Sequence, residues 1–154
     1  MRKLKFIVIL FVLFINGCSG YESVHKIEKK EFSIVALNLH GDKKINQYLK
    51  KNFKKYEDTN GANRFYKIDT SSSINKTIKS KNKSGVTLNY SLNISIDLIV
   101  MEGEKILGKK VFSESVNYSN LDNKFELNQY EKLITKNQSK KIIEQINQYI
   151  DSIK

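Results

Sequence analysis

The sequence is poor in residues that crosslink a chain, bind metals or interrupt its elements. Among 154 residues there are no prolines, one cysteine and two histidines. The absence of proline fits a compact domain without rigid linkers. A single cysteine excludes an internal disulfide. No spacing of histidine and cysteine suits zinc, and no G-x-x-x-x-G-K-S/T loop is present to cradle phosphate.

The candidate catalytic side chains are also scattered. His25 and His40 have nothing around them that favours catalysis over an exposed turn, and a hydrolase needs a nucleophile beside an oriented base. The acidic residues considered as acid or base groups stand singly or at exposed turns: Asp69, Asp97, Asp122, Glu102 and Glu104. We therefore expect no enzymatic activity and no cofactor.

The N-terminus predicts export. Three basic residues precede an unbroken apolar run over residues 6–15, and Gly17 precedes Cys18. This pattern predicts a cleaved signal peptide over residues 1–17, which is too short for a finished membrane span. Ile15-Asn16-Gly17-Cys18 resembles the bacterial lipobox, which implies acylation of Cys18. The alternative is a plain secreted protein in which Cys18 is incidental.

Three segments follow from this reading. Residues 1–17 form the signal peptide, residues 18–31 a polar tether that carries the acyl chains, and residues 32–154 the folded domain. Acyl chains on Cys18 would anchor the domain stably at a membrane. Ser19, rather than aspartate, follows the cysteine, which resembles the sorting signal for the outer membrane. We expect a lipid-anchored protein on the periplasmic side of that membrane.

The chain is strongly basic. Removal of residues 1–17 takes three of 27 basic residues, so 24 remain against 16 acidic ones and the formal charge falls from +11 to +8. Such a charge usually indicates nucleic acid, which export makes an unsuitable partner. Phospholipid head groups, lipopolysaccharide and acidic protein surfaces remain as candidates. The alternative is a solvated, lysine-rich surface without a specific partner.

The strongest pattern of the chain lies in residues 86–101. Apolar side chains occupy every even position, and polar ones fill the odd positions up to Asp97. Because the side chains of a strand point alternately to opposite faces, this segment predicts one long strand with an apolar face and a wet face. The apolar positions expected under helices are Val86, Leu88, Tyr90, Leu92, Ile94, Ile96, Leu98 and Val100.

Three other segments are predicted to be strands. Residues 32–39 carry apolar side chains on both parities, which indicates a strand covered on both faces. A second strand begins at Arg64, with apolar residues at even positions. A return strand over residues 106–118 follows a hairpin tip at residues 102–104, although Lys110 and Glu114 interrupt its apolar face.

Two amphipathic helices complete the pattern. Asp42 is predicted to cap the first helix, and Asn128, with capping-box spacing to Glu131, the second, after a loop over residues 119–125. The first apolar stripe consists of Ile45, Tyr48, Leu49, Phe53 and Tyr56. The second consists of Tyr130, Leu133, Ile134, Ile142, Ile146, Tyr149, Ile150 and Ile153. We predict a two-layer α+β domain, with both helices on one face of a mixed four-stranded sheet.

One candidate binding site stands out beside the long strand. Four lysines crowd the segment predicted as a turn: Lys76, Lys79, Lys81 and Lys83. Ammonium groups could meet lipid phosphates there as point charges. The alternative is a charged turn that keeps a sheet edge from pairing with other chains.

Four segments together resemble the LptE family, the outer-membrane lipoproteins of lipopolysaccharide assembly. They are the lipobox, the strand K-S-G-V-T-L-N-Y-S-L-N-I-S-I-D-L, the return strand K-K-V-F-S-E-S-V-N-Y and the run N-Y-S-N-L-D-N-K-F-E-L-N-Q-Y-E-K-L-I. The resemblance covers nearly the whole mature chain and rests mainly on the order of elements. It implies a non-enzymatic plug that sits inside an LptD-like β-barrel, helps that barrel assemble and contributes to lipopolysaccharide delivery.

The resemblance also implies a role for one residue. The family's basic residue before the long strand, implicated in lipopolysaccharide contact, falls on Lys83. The wet strand face, rich in serine, asparagine and threonine, fits a polar barrel lumen. Two other functions stay open from the sequence: a lipid-binding auxiliary lipoprotein of an envelope transporter, and a pilot lipoprotein for another secretion channel.

Overall fold

A computed structural model describes residues 32–57 and 61–153. The predicted signal peptide, Cys18 and the predicted tether lie outside the described residues. In chain order the elements are β1 (Phe32–Gly41), α1 (Lys43–Phe53) with a 3₁₀ turn (Lys54–Tyr56), β2 (Arg64–Lys81), β3 (Thr87–Glu102), β4 (Lys105–Ser119) and α2 (Lys124–Ser152).

The four strands form one mixed sheet in the order β1-β2-β3-β4. β1 pairs with β2 in parallel, and the two later pairs are antiparallel. Both helices pack on one face of this sheet, so the predicted two-layer α+β class is confirmed. The parallel pair follows from the connection through α1, which returns the chain to the end of the sheet where β1 begins.

The core lies between the two helices and the even-numbered side chains of the central strands. Its largest fully buried side chains are Tyr66, Phe53, Ile45, Leu49, Ile68, Ile94, Ile96, Leu98, Ile142, Ile146, Ile150 and Val100. Each strand contributes alternate residues and each helix one stripe, which is the burial that their sequence periods predict. All of these residues lie between residues 32 and 153.

The alternation of β3 is confirmed over most of its length. Its even-numbered side chains from Leu92 to Val100 are at most 4% exposed. The prediction is wrong for Val86 and Leu88, which are 56% and 46% exposed. Periodicity identifies the face of a strand, whereas burial also requires a helix above that position.

The expectation that β1 is covered on both faces is wrong. The register between β1 and β2 shifts between Ile34 and Ala36, and Val35 is 51% exposed. This β-bulge exchanges the two faces of the strand, so that Ile34 packs on the core before it and Leu37 after it. Apolar residues at even positions before the bulge and at odd positions after it therefore point to the same covered face of the sheet.

Gly41 makes the turn from β1 into α1 possible. Its φ is 92°, and a Cβ atom there would lie 1.9 Å from the carbonyl oxygen of Ser72. Only glycine fits a positive φ against a neighbouring backbone. Asp42 then caps α1 as predicted, since its carboxylate accepts hydrogen bonds from the amides of Lys44 and Ile45.

Two charged residues interrupt the core-facing row of β4, as the sequence indicated. Lys110 Nζ lies 5.1 Å from the ring centroids of both Phe112 and Tyr149. Glu114 Oε1 accepts a hydrogen bond of 2.8 Å from Gln145 Nε2. Because β4 is an edge strand, both charged groups reach past the margin of α2 toward water.

The predicted start of α2 is wrong. The helix begins at Lys124, and its N-cap is Asn123, whose side-chain oxygen accepts hydrogen bonds from the amides of Phe125 and Glu126. The Asn123 amide nitrogen in turn donates to Glu126 Oε1 at 3.2 Å. Asn123 and Glu126 have the same spacing as the predicted pair Asn128 and Glu131, so two pairs five residues apart fit the capping pattern.

The shifted start also changes the apolar stripe of α2. Ile134, Ile142, Ile146 and Ile150 are buried as predicted, but Tyr130 and Leu133 are 42% and 53% exposed. The buried face near the start instead contains Leu127, Thr135 and Ser139. Thr135 satisfies its hydroxyl by donating to the Glu131 carbonyl oxygen at 2.7 Å, which lets a polar residue occupy a core position.

The end of the sheet where β1 begins, called the base below, is closed by aromatic rings and one ion pair. The Phe32 ring stacks between those of Tyr56 and Tyr66, at centroid distances of 5.1 and 5.0 Å. Arg64 donates to both carboxylate oxygens of Glu102, at 3.0 and 3.1 Å. These hydrogen bonds lower the pKa of Glu102.

Candidate functional site

The hairpin of β2 and β3 extends well beyond the rest of the sheet. β1 pairs with β2 only as far as Ser72, so the second half of β2 has no strand beside it on that side within the described residues. At about 3.3 Å per residue, the 18 residues of β2 span roughly 55 Å from the base to the hairpin end. The hairpin end is therefore the part of the described sheet furthest from the base.

The turn at the hairpin end is held by one asparagine. The Asn82 side-chain oxygen accepts hydrogen bonds from the amides of Ser84 and Val86, at 3.0 and 2.9 Å. The Gly85 amide donates to the Asn82 carbonyl oxygen at 3.0 Å, and Gly85 has a φ of 80°. These contacts make the turn a defined structure rather than an open loop.

The structure divides the four predicted lysines into two groups. β2 continues to Lys81, so Lys76, Lys79 and Lys81 lie in the strand, and of the four only Lys83 lies in the turn. Lys79, Lys81 and Lys83 are exposed, and Lys79 lies at a bulge because the register with β3 shifts between Ile78 and Ser80. These three lysines lie around the tip of the hairpin and are open to a ligand.

Lys76 is engaged in the packing of the hairpin against α2. Its ammonium group forms an ion pair with Glu131 and lies 4.0 Å from the centroid of the Tyr90 ring. The Tyr118 hydroxyl donates to the same Glu131 carboxylate at 2.8 Å. Burial, followed by the hydrogen bond to Glu131, raises the pKa of Tyr118. This cluster fixes the hairpin to α2.

Three apolar side chains accompany the exposed lysines. Ile78, Val86 and Leu88 are 51%, 56% and 46% exposed. Together with Lys79, Lys81 and Lys83 they form what we call the hairpin surface. The exposure of these apolar residues was not predicted, because their even parity in the sequence indicated burial. The length of the predicted strand was the available signal, because the 16 residues of β3 span roughly 50 Å at about 3.3 Å each, whereas the 29 residues of α2 span only about 44 Å at about 1.5 Å each.

The chemistry of the hairpin surface suits an anionic amphiphile. Lysine ammonium groups meet phosphate as compact point charges, and exposed apolar side chains beside them can contact acyl chains. Phe125, in the first turn of α2, is a further exposed apolar residue, at 71%. The preceding loop is tied to the hairpin, because the Asn120 amide donates to the Leu88 carbonyl oxygen at 2.7 Å.

The opposite face of the sheet is lined by short neutral side chains in its central part. Three cross-strand rows run over β2, β3 and β4: Ser73, Ser95 and Ser113; Asn75, Asn93 and Ser115; Thr77, Ser91 and Asn117. None of these nine positions is charged, whereas lysines line the hairpin end. The predicted wet face is thus present as a neutral surface that offers hydroxyl and carboxamide groups.

The remaining candidates for chemistry stay apart. Among the side chains of residues 32–57 and 61–153, no group of three or more His, Cys, Asp or Glu could hold a metal ion. Asp69 and Asp97 border a shallow depression on the open face, together with His40 and Lys109. None of the described helices is long and apolar enough to cross a membrane.

The comparisons with known proteins give similarity of fold alone. No family model matches the chain, and no curated protein matches it in sequence. Among solved structures, rare lipoprotein B from Shewanella oneidensis superimposes with a TM-score of 0.59 at 14% identity, covering 76% of this chain and 94% of that one. The chain shares the fold of this protein.

Two further solved structures agree. An uncharacterized lipoprotein B from Nitrosomonas europaea gives a TM-score of 0.56 at 15% identity, over 83% of this chain and 88% of that one. A minor lipoprotein from Acinetobacter baumannii gives 0.53 at 17% identity, over 73% and 87%. All three neighbours are lipoproteins of bacteria, and most of each is matched by the domain described above.

Proposed function

We propose that this protein is a non-enzymatic lipoprotein of the outer membrane, anchored through acyl chains on Cys18 and similar in role to the LptE family. In this role it sits within an LptD-like β-barrel, helps that barrel to assemble and contributes to the insertion of lipopolysaccharide into the outer leaflet. The protein needs no cofactor for this work. It acts by binding and by occupying space.

The observation that carries the proposal is the fold. The domain superimposes on three bacterial lipoproteins over 87% to 94% of their chains. The lipobox and the order of elements lead to the same class of protein from the sequence. The order of elements and the superposition describe the same fold, and the lipobox adds a separate line of support from the sequence.

The hairpin surface supports the lipopolysaccharide part of the proposal. Lys79, Lys81 and Lys83 offer three positive charges at the same end of the hairpin that exposes Ile78 and Leu88. Phosphate groups next to acyl chains are the complementary chemistry. Lys76 has a supporting role, because its ion pair with Glu131 holds the hairpin against α2.

The neutral face supports the barrel part of the proposal. A sheet face with long charged side chains would lose hydration and side-chain entropy when a partner covered it. Serine, threonine and asparagine have fewer rotamers and no charge to desolvate. The polar lumen of a large barrel presents groups that can hydrogen-bond with them.

An auxiliary lipid carrier is less well supported. Such a protein needs a deep apolar pocket for its lipid. In this domain the space between the helices and the sheet is filled by side chains such as Ile45, Leu49 and Ile146, each 0% exposed. Lipid contact is therefore better assigned to the surface than to the interior.

The proposal is tested by copurification. The tagged full-length protein is extracted from outer membranes in mild detergent, and the recovered proteins are identified by mass spectrometry. We expect a large LptD-like β-barrel in stoichiometric amount. A matched Cys18→Ser variant should leave the outer-membrane fraction, because acylation requires the thiol. Failure to recover such a barrel with the wild-type protein, despite its presence in the membrane, would contradict the proposal.

A further inference from the structure

The outer surface of α1 carries a second group of lysines, separate from the hairpin surface. The helix and the 3₁₀ turn that follows it contain six lysines and no acidic residue. The six are all exposed: Lys43, Lys44, Lys50, Lys51, Lys54 and Lys55. We call this group the lysine face of α1.

The fold fixes the direction of the lysine face. Ile45, Leu49 and Phe53 are each 0% exposed and hold one side of α1 against the sheet. At 100° per residue, the lysines then project from the opposite side of the helix. Lys76 has an acidic partner in Glu131, whereas within the described part of the chain no ion pair involves any of these six lysines. Their charges are available to an external anion.

The lysine face lies next to the point where the predicted tether joins the domain. The Tyr56 ring stacks on Phe32 at 5.1 Å, and the Ser33 hydroxyl donates to the Tyr56 carbonyl oxygen at 3.0 Å. Phe32 is fourteen positions after Cys18, and at up to about 3.6 Å per position the segment can span at most roughly 50 Å. A lipid anchor at Cys18 would therefore keep Phe32, and the end of α1 that packs beside it, within about 50 Å of a bilayer.

We propose that the lysine face of α1 docks electrostatically on the surface of an anionic phospholipid bilayer. It would act as a second membrane contact beside the acyl chains, made by a part of the domain that the barrel leaves outside its lumen. The inference rests on the proposed Cys18 anchor for its placement only. Binding itself depends on the lysines and on negative lipid charge.

The expected strength follows from the number of charges. Each lysine near an anionic membrane surface raises partitioning by about fivefold at moderate ionic strength. Loss of three lysines should therefore weaken binding on the order of a hundredfold. Salt screens such contacts, so binding should also fall steeply as ionic strength rises.

The test measures vesicle binding by a chain that starts at Ser19, which retains every core residue named above and lacks the acylated residue. Cosedimentation is measured with vesicles of phosphatidylcholine alone and of phosphatidylcholine with an equal part of phosphatidylglycerol. The helix variant carries Lys50→Gln, Lys51→Gln and Lys54→Gln. The matched hairpin variant carries Lys79→Gln, Lys81→Gln and Lys83→Gln, and so loses the same charge.

We expect the wild type to bind only the anionic vesicles, the helix variant to bind on the order of a hundredfold more weakly, and the hairpin variant to stay within about threefold of wild type. Equal losses in both variants would show a general effect of net charge and overturn the proposal, as would unchanged binding by the helix variant. If the helix variant fails to fold by circular dichroism, Lys43→Gln, Lys44→Gln and Lys55→Gln replace its substitutions. Because these vesicles contain no lipopolysaccharide or barrel, the result is separate from the copurification result.

Discussion

The base and the hairpin end of this sheet are built from the same alternating pattern but differ in what covers them. At the base, four strands are paired and both helices lie above them, with Phe32, Tyr56 and Tyr66 stacked together. At the hairpin end, β1 is absent, the register shifts twice, and Ile78 and Leu88 are exposed. The base supplies stability, and the hairpin end supplies a surface.

The difference shows that an alternating pattern indicates which face of a strand is apolar, but does not indicate whether that face is buried. Leu98 and Leu88 lie on the same strand with the same parity, yet their exposed fractions are 0% and 46%. A helix above the first excludes water, and no helix does so above the second. Apolar residues kept at the uncovered end of such a strand are candidates for contact with another molecule.

The largest effect on stability is expected from a comparison of one leucine at each end of β3. Leu98→Ala removes a fully buried side chain and should lower the free energy of unfolding by about 2 to 5 kcal/mol. Leu88→Ala removes the same atoms from a half-exposed position and should cost less than about 1 kcal/mol. Urea unfolding followed by circular dichroism measures both. Equal losses would mean that the hairpin end is packed as tightly as the base.

The next largest effect on stability is expected at Gly41, in comparison with Gly85, which has a similar φ. Gly41→Ala places a Cβ atom against the Ser72 backbone in addition to the strain of a positive φ, and should destabilise by about 2 to 4 kcal/mol. Gly85→Ala, at the hairpin turn, has no atom within 4 Å of its new Cβ and should cost only the strain, about 1 to 2 kcal/mol. Thermal unfolding distinguishes them, and a smaller loss for Gly41→Ala would contradict the close approach of β1 and β2.

The smallest stability effect tests where α2 begins. Asn123→Ala should remove an N-cap and cost about 1 kcal/mol, loosening the loop that joins the hairpin end to the helix. Asn128→Ala, at the cap that the sequence predicted, lies inside the helix and should be neutral or slightly stabilising, because alanine is the better helix former. If Asn128→Ala proved less stable in urea than Asn123→Ala, the helix would begin at the position predicted from the sequence.

The sequence was sufficient for features that depend on local pattern. The face of β3, the cap at Asp42 and the stripe of α1 were predicted because each depends on residues close in the chain. The bulge at Val35 was not, since an extra residue in one strand is visible only against its partner β2. The start of α2 was ambiguous, because two asparagine and glutamate pairs have the same spacing and tertiary contacts decide between them.

The candidate site was predicted in outline. Its four lysines form a cluster in the sequence, but only the structure separates Lys76, which pairs with Glu131, from the three at the tip. The two residues of that pair are 55 positions apart, so no local pattern could indicate the contact. The exposed apolar side chains were likewise hidden, because the uncovered length of a hairpin depends on where β1 ends and how the helices cross the sheet.

The most direct test of the account is lipopolysaccharide binding by the chain from Ser19 and its two charge variants. The account predicts that the hairpin variant, with Lys79, Lys81 and Lys83 changed to glutamine, binds purified lipopolysaccharide at least about tenfold more weakly than wild type with nearly unchanged thermal stability. The helix variant, with the same loss of charge, should bind almost as wild type. Equal binding by wild type and hairpin variant, or an equal loss in both variants, would contradict the assignment of the hairpin surface.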